Sequence, residues 1–458
     1  MDIRKLLFFN ARMVRSSRRS SSYGGQAGRL LLSMPKGHHE RLKKIFLFAL
    51  SLSKSASFFL LIFCSLLNAA VIDFKLGIEN IPTNMVAQYA KKKTPVALIT
   101  NQTGRDQKGN RTLDILLKKG FNVVVIFAPE HGFDGKSNAA QEVKDGIDVK
   151  TKIPVMSLYG KGTGRKIAPE AIKDIQAFFF DIQDSGMRHY TYISTLLTVL
   201  KTGAADQKQI IVFDRPNPLG KTMEGPLVEP ALISFISIAP IPLRHGMTIG
   251  ELADYFNTHV LESKAPLTVI GMRGYDRSQG LDLMHAPLSP NIASRESCHG
   301  YCFLGLLGEI KPFDVGVGTP HSFQLISLPA SMPLPLSFWQ ELSERLRYCG
   351  IVATAHQYMH EKKKEQYIGL RLCMENINQV NAFNAFLITV SSAKKAGIAI
   401  DFQREFDKAV GSSRVRSFLT GGITYQDLVG DVNKDLQLFF QKAQPLFRYA
   451  PHPELIFN

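Results

Sequence analysis

Five short apolar runs succeed one another along the first half of this chain: TPVALIT (94–100), NVVVIFA (122–128), VMSL (155–158), AFFFDI (177–182) and IIVFD (210–214). Between them lie TLDILLKKG (112–120), PEAIKDI (169–175) and STLLTVLKTGA (194–204), whose apolar residues recur at helical spacing. Runs that do not alternate fit strands buried on both faces, and strands alternating with helices imply a mostly parallel sheet covered by helices. We therefore expect an α/β protein with a Rossmann-like, mostly parallel sheet domain over residues 71–262. Beyond residue 262 proline-punctuated loops such as APLSPNIAS (286–294) and GVGTPHSF (316–323) take over, and helical stretches return near SFWQELSERLRYCG and NKDLQLFFQKAQ. A smaller α/β (α+β) domain is expected over 263–458.

The residues just beyond each strand constrain function. The five runs lead into NQTG, PEHG, YGKGTGR, DIQDSGMRHYTY and DRPNP. Ligands of open α/β sheets bind beyond the carboxyl ends of the strands. That rule gathers Asn101, Glu130, His131, Tyr159, Asp181, Asp184, Arg188, Tyr190, Tyr192, Asp214, Arg215 and Asn217 around one crevice.

The chemistry of these groups is selective. GKGTG (160–164) has neither the dinucleotide nor the phosphate-loop spacing, and no G-x-S-x-G elbow occurs. Nucleotide cofactors and the common serine-hydrolase route are disfavoured, and no cofactor or metal is expected. Glu130 sits between Pro129 and His131 at the mouth of an apolar strand, where desolvation raises a carboxyl pKa toward the range of a general acid. His131 suits an orienting role or a bond to a substrate hydroxyl. Carboxylates, amides and tyrosines mixed in one loop suit a sugar, and Arg188, Arg215 and Arg244 offer forked donors for a carboxylate. Some of these arginines are expected to do no more than neutralise neighbouring aspartates.

Charge excludes one class of partner. The formal net charge is +16, yet residues 1–70 hold 12 of the 55 Lys and Arg against 2 of the 39 Asp and Glu, leaving 43 against 37 elsewhere. No basic stripe interleaved with aromatics is present, so no nucleic-acid surface is expected. The basic leader instead precedes a signal-like segment: Arg41, Lys43 and Lys44, the apolar run Phe58–Leu67, then Asn68-Ala69-Ala70. Export to the periplasm or beyond is expected, with a retained N-terminal anchor as the alternative; Met34 is a second possible start, and Phe63 before Cys64 disfavours a lipoprotein. Cys298, Cys302, Cys349 and Cys373 remain, compatible with buried thiols or disulfides and lacking a second pair at zinc spacing.

Taken together, LITNQTG, APEHGF, SLYG, FDIQDSGMRHYTYI, DRPNPLG, EGP, PIPLRHGMTIGELA, SPNI and GVGT occur in the order seen in the bacterial exo-β-N-acetylmuramidases, and the chain resembles that family from about Lys75 to Tyr449. The resemblance implies an exo-acting glycosidase that removes N-acetylmuramic acid from the non-reducing end of peptidoglycan fragments. It places the P-E-H-G catalytic acid at Glu130, and gives the crevice arginines a partner in the lactyl carboxylate. Asp184, Asp181, Glu224 and Glu309 are then candidates for a second carboxylate, unless the substrate's own acetamido group attacks; Arg244 and His245 of the P-L-R-H-G run join the substrate-binding set. The chain departs from the family at Ala128 for glycine, His189 for phenylalanine, and Val317 for the arginine of G-R-G-T, while E-G-T-N survives only as Glu309. The departure at Val317 motivates a rival reading, a non-catalytic protein that binds muramyl fragments; an acyl or phosphoryl hydrolase is a third.

Overall fold

In the computed structural model, residues 74–456 are described except 140, 161, 162, 165, 279–285 and 333. The leader, the signal-like segment, Met34 and Cys64 lie outside the described residues. Asp73–Asn458 forms one compact unit.

The apolar runs are strands. β1 (Pro95–Thr100), β2 (Asn122–Ala128), β3 (Gly146–Ile147), β4 (Pro154–Ser157), β5 (Ala177–Asp181), β6 (Gln209–Phe213) and β7 (Leu267–Ile270) form one sheet in the order β7-β6-β5-β1-β2-β4-β3. Every neighbouring pair is parallel except β3 with β4. Leaving out the two-residue β3, this is the doubly wound order in which the direction of winding reverses between β1 and β5. The sheet thus continues past residue 262 into β7, a half-exposed edge strand whose short LTVI sequence carries little of the signal of a buried one.

Alternate residues of the strands feed opposite layers. Phe178 and Phe180 pack with Leu196, Leu197 and Leu200 of α2 (Tyr192–Asp206), while Phe179 packs with Phe121, Phe213 and Tyr89 on the other face. Both faces are dry, which is why these strands read as continuous apolar runs. The cluster containing Phe178 runs on without a break into the second half of the chain, through Phe303, Phe386 and Phe439.

That second half opens with α4 (Arg295–Leu307), after α1 (Thr112–Lys118), α2 and α3 (Ile249–His259) of the first. An antiparallel sheet of β8 (Leu325–Pro329), β9 (Val352–His360) and β10 (Glu365–Cys373), with β10 central, packs on α5 (Leu336–Tyr348), which in turn packs on α6 (Ala382–Lys395), while α7 (Tyr425–Ala443) sets Phe439 against Tyr255 of α3. The chain end then straps back: Tyr449 donates to Asp214 Oδ2 at 2.6 Å, and Glu454–Leu455 pairs parallel with Thr222–Met223. Cys298, Cys302 and Cys349 are buried free thiols and Cys373 is an exposed one. Among the described residues no helix is long and apolar enough to cross a membrane, and no three His, Cys, Asp or Glu side chains are grouped to hold a metal ion.

Candidate active site

The register of the sheet builds the site. Thr100 of β1 pairs with Asp181 of β5, so the loops beginning at Asn101 and Ile182 leave the sheet side by side at the reversal point. Gln183 N–H donates to Thr103 Oγ1 at 3.0 Å across that seam, and Asn101 Oδ1 accepts from Thr103 N at 2.9 Å and from its hydroxyl at 2.5 Å.

Glu130 enters from the end of β2. The residue is 8% exposed, and its carboxylate accepts from Thr191 Oγ1 at 2.7 Å at the start of α2. The Tyr159 hydroxyl, beyond β4, also bonds Glu130; burial first, then the Glu130 charge, holds that phenol well above its ordinary range, so it stays a donor. Behind Glu130, His131 adopts a left-handed backbone at φ 71° and Gly132 comes next at φ 83°. Such a conformation in a residue with a Cβ costs of order 1–3 kcal/mol and persists where the surroundings impose it. Here His131 Nδ1 donates to Ser137 O at 2.7 Å, closing the loop on itself and fixing the direction in which Glu130 leaves the strand.

Asp184 is the second buried carboxylate. Its Oδ2 accepts from Gly186 N at 2.7 Å and from His245 Nε2 at 3.2 Å; Met247 N–H donates to Nδ1 of that ring, which places the proton on Nε2. Oδ1 of Asp184 is buried without a hydrogen-bond partner among the described residues, and so is the Asn101 amide nitrogen. Tyr301 of α4 feels both carboxylates: burial first, then the charges of Glu130, Glu309 and Asp184, push its phenol far up. The Tyr301 ring itself packs 4.8 Å from His189 and 6.0 Å from Tyr190, against the loop that carries Asp184. Buried polar atoms normally find partners, and orphaned ones at a strand end mark where a ligand is expected.

Residues 96–296 match the family model described as "Exo-beta-N-acetylmuramidase NamZ, N-terminal", and residues 299–449 match its C-terminal counterpart. The chain belongs to the NamZ family. It is 33% identical over 385 residues to the peptidoglycan β-N-acetylmuramidase NamZ of Bacillus subtilis strain 168, covering 81% of this chain and 91% of that one. Among solved structures, a DUF1343 family protein of Bacteroides fragilis NCTC 9343 superposes with a TM-score of 0.72 at 31% identity, over 83% of this chain and all of that one. A second DUF1343 protein of the same organism gives 0.62 at 26% identity, over 82% and 99%. As a NamZ member the chain is a glycoside hydrolase, and the two-domain α/β architecture is that of its structural neighbours.

Against that NamZ framework, several residues expected to face substrate are occupied internally. Arg188 is fully buried, donating to Pro226 O (2.6 Å), Ile241 O (2.9 Å), Val410 O (2.6 Å), Ala409 O (3.3 Å) and Ser237 Oγ (3.1 Å). Arg215 is paired with Asp181 at 2.5 Å, and Thr112 donates to that same carboxylate. Arg244 is paired with Glu224 at 2.8 Å, both buried; Arg244 also reaches Leu219 O, Ile377 O and Val380 O, and Glu224 accepts from Phe383 N at 3.0 Å. Asn217 locks its own turn, accepting from Leu219 N and donating to Met247 O at 2.9 Å. Arg188 has every donor nitrogen committed, while Arg215 and Arg244 are each neutralised by a buried carboxylate.

Other expected residues stay at the crevice in changed roles. Tyr190 and Tyr192 both donate to Leu288 O, at 2.8 and 2.9 Å, so their hydroxyls hold the SPNI loop in place. Glu309, just past α4, is half buried; burial raises its carboxyl pKa, Lys311 opposes and Glu405 adds. Val317 packs on the core, and His360 Nε2 meets its carbonyl at 3.2 Å. His189, where the family has phenylalanine, lies in a tilted ring contact 4.8 Å from Tyr301, with its pKa pulled down to about 3 by burial and by Arg188. Reasoning from the sequence misses Thr191 and Tyr301. Thr191 stands inside the DIQDSGMRHYTY loop and is within its reach, whereas Tyr301 lies on a helix about 110 residues further on with no strand end to mark it.

Proposed function

We propose that this chain is an exported exo-β-N-acetylmuramidase, hydrolysing the β-1,4 bond of the non-reducing-end N-acetylmuramic acid in peptidoglycan fragments such as the muramic acid–glucosamine disaccharide. The observation that carries the reading is the buried Glu130 carboxyl, aimed by a strained P-E-H-G loop and gripped by the Thr191 and Tyr159 hydroxyls. It is supported by the 33% identity to a peptidoglycan β-N-acetylmuramidase. Export rests on the leader sequence alone.

In this reading Glu130 delivers a proton to the glycosidic oxygen. Thr191 can rotate between donating to the carboxylate and accepting from the acid, so the same contact serves both protonation states. The orphaned Asp184 Oδ1 is the acceptor for the substrate's acetamido N–H. An aspartate that orients an N-acetyl group serves substrate-assisted hydrolysis, in which the acetamido oxygen attacks the anomeric carbon as Glu130 protonates the leaving oxygen. His245, donating to the other oxygen, keeps Asp184 from turning away.

The test is incubation of the chain from Val71 onward with a chromogenic β-N-acetylmuramide and the matching glucosaminide, beside its Glu130→Gln variant. Release from the muramide alone, abolished in the variant, is expected. A folded protein that cleaves neither compound, yet binds muramyl ligands equally well with and without Glu130→Gln, would replace this reading with that of a binding protein; Val317 in place of arginine favours that second reading.

A further inference from the structure

A substrate built on muramic acid brings a carboxylate, and the three arginines nearest the crevice carry no uncompensated charge open to it: Arg188 is buried and consumed by carbonyls and a hydroxyl, and Arg215 and Arg244 are each neutralised by a buried carboxylate. A different group of cations remains. Beside the P-E-H-G loop the structure has a cleft of about 630 Å³, bounded by the loop after β1, by Gly132, Phe133 and Lys136 after β2, and by the hairpin of β3 and β4. Gly132 lies two residues from Glu130, so their Cα atoms are no more than about 7.6 Å apart.

Four cations line this cleft, and two of them are spent. Arg111 is paired with Asp114 and Asp148 at 2.9 and 2.8 Å, and Lys136 faces Asp134 at 3.6 Å in an exposed pair. Arg105 and Lys144 have no carboxylate within ion-pair distance among the described residues. Arg105 donates through Nε to Gln102 O at 3.0 Å and through Nη1 to Gly109 O at 2.8 Å. Both acceptors are neutral carbonyls, so the guanidinium is held rigid with its charge uncompensated and Nη2 to spare. Holding a fork in place before binding reduces the ordering cost of each hydrogen bond it makes.

An independent observation marks the same place. Asn101 and Gln102 line the cleft; Asn101 is 4% exposed, its Nδ2 lacks an acceptor, and Gln102 Oε1 lacks a donor. Arg105 Nη2 is thus pre-placed with nothing to receive it, and the Asn101 amide, with only the Tyr192 side chain beside it, has a hydrogen to spare.

We propose that this cleft is the receptor for the lactyl carboxylate of the muramyl sugar, with Arg105 and Lys144 as its cations and the Asn101 amide as its neutral donor. The inference rests on the muramidase reading, since it assigns part of that substrate. It explains how a sugar whose glycosidic oxygen meets Glu130 is told apart from a glucosaminide, which lacks the acid arm.

The experiment is calorimetric titration of the chain from Val71 onward with N-acetylmuramic acid and with N-acetylglucosamine, repeated for Arg105→Gln and Lys144→Gln. Wild type is expected to prefer the acid sugar by about tenfold or more, the size of one charge-assisted hydrogen bond, and to lose most of that preference as ionic strength rises. Each variant is expected to bring the ratio of the two affinities toward one; Lys144, being exposed and free of structural bonds, keeps the test decisive if Arg105→Gln unfolds. Equal affinity for both sugars in wild type, or a preference that survives Lys144→Gln and a folded Arg105→Gln, overturns the assignment. Release from the chromogenic muramide reports separately: turnover with a preference that neither variant touches removes this site and leaves the muramidase standing. Preference without turnover leaves this site standing and removes the muramidase.

Discussion

Glu224 and Arg244 can be told apart from substrate-binding residues by what their loss does to stability. The pair is fully buried at 2.8 Å, and through Phe383 N, Ile377 O and Val380 O it fastens the first half of the chain to the start of α6. Glu224→Gln keeps the shape of the side chain but leaves the guanidinium uncompensated and turns an amide donor toward one already there. Breaking one partner of a buried pair costs about 3–5 kcal/mol. Over the roughly 370 described residues an unfolding entropy of about 2.1 cal/mol/K per residue gives about 0.8 kcal/mol/K, so the melting temperature should fall by about 4–6 °C. Scanning calorimetry on wild type, Glu224→Gln, Arg244→Met and the double variant Glu224→Met/Arg244→Met checks this. The double variant is expected to recover much of the loss, because an apolar pair of similar volume carries no stranded charge. A Glu224→Gln protein that melts with wild type while its KM for a muramide rises many-fold would refute the reasoning and return the pair to the substrate.

The geometry sets three further outcomes. Glu130→Gln should lower kcat on the chromogenic muramide by about 10²-fold or more with the melting temperature within a degree or two, and Thr191→Val should give a smaller loss, both read from initial rates. His131→Gly removes a left-handed backbone cost of about 1–2 kcal/mol but adds unfolded-state entropy of about 0.5–1 and deletes a hydrogen bond worth about 1; urea unfolding should show near-unchanged stability while kcat drops, and a large loss of stability would contradict it. Burial raises Asp214 to about 6, opposed by Tyr449, Gly250 and Thr248. Its folded pKa lies above the unfolded one, so the stability it contributes is present below about pH 4 and lost as pH rises through about 6. The unfolding free energy of wild type minus that of Asp214→Asn should therefore fall by about 2 kcal/mol between pH 4 and pH 7, and a flat difference would show that Asp214 is not held protonated.

How much of the molecule is legible in the chain depends on how far away each residue's partners sit. Ala177–Asp181 is buried on both faces, so its own sequence announces a strand, and the groups just beyond it inherit their place from the sheet. Glu130 is legible in the same way, because the strand end and the P-E-H-G turn that aim it lie within seven residues of each other. The arginines are the opposite case. Arg188 stands in the middle of the site-forming loop, but the carbonyls that consume it come from positions 38, 53, 221 and 222 residues away, and no local pattern tells a forked donor for a ligand from one for distant backbone. Gly411 records that destination: it has φ 77°, and a Cβ there would collide with the Arg188 guanidinium. Arg105 and Lys144 read in sequence as ordinary loop charges, since what sets them apart is the absence of a carboxylate around them once the chain has folded. Local sequence thus displays the groups a strand end presents, while long-range packing decides which of them remain available to a ligand.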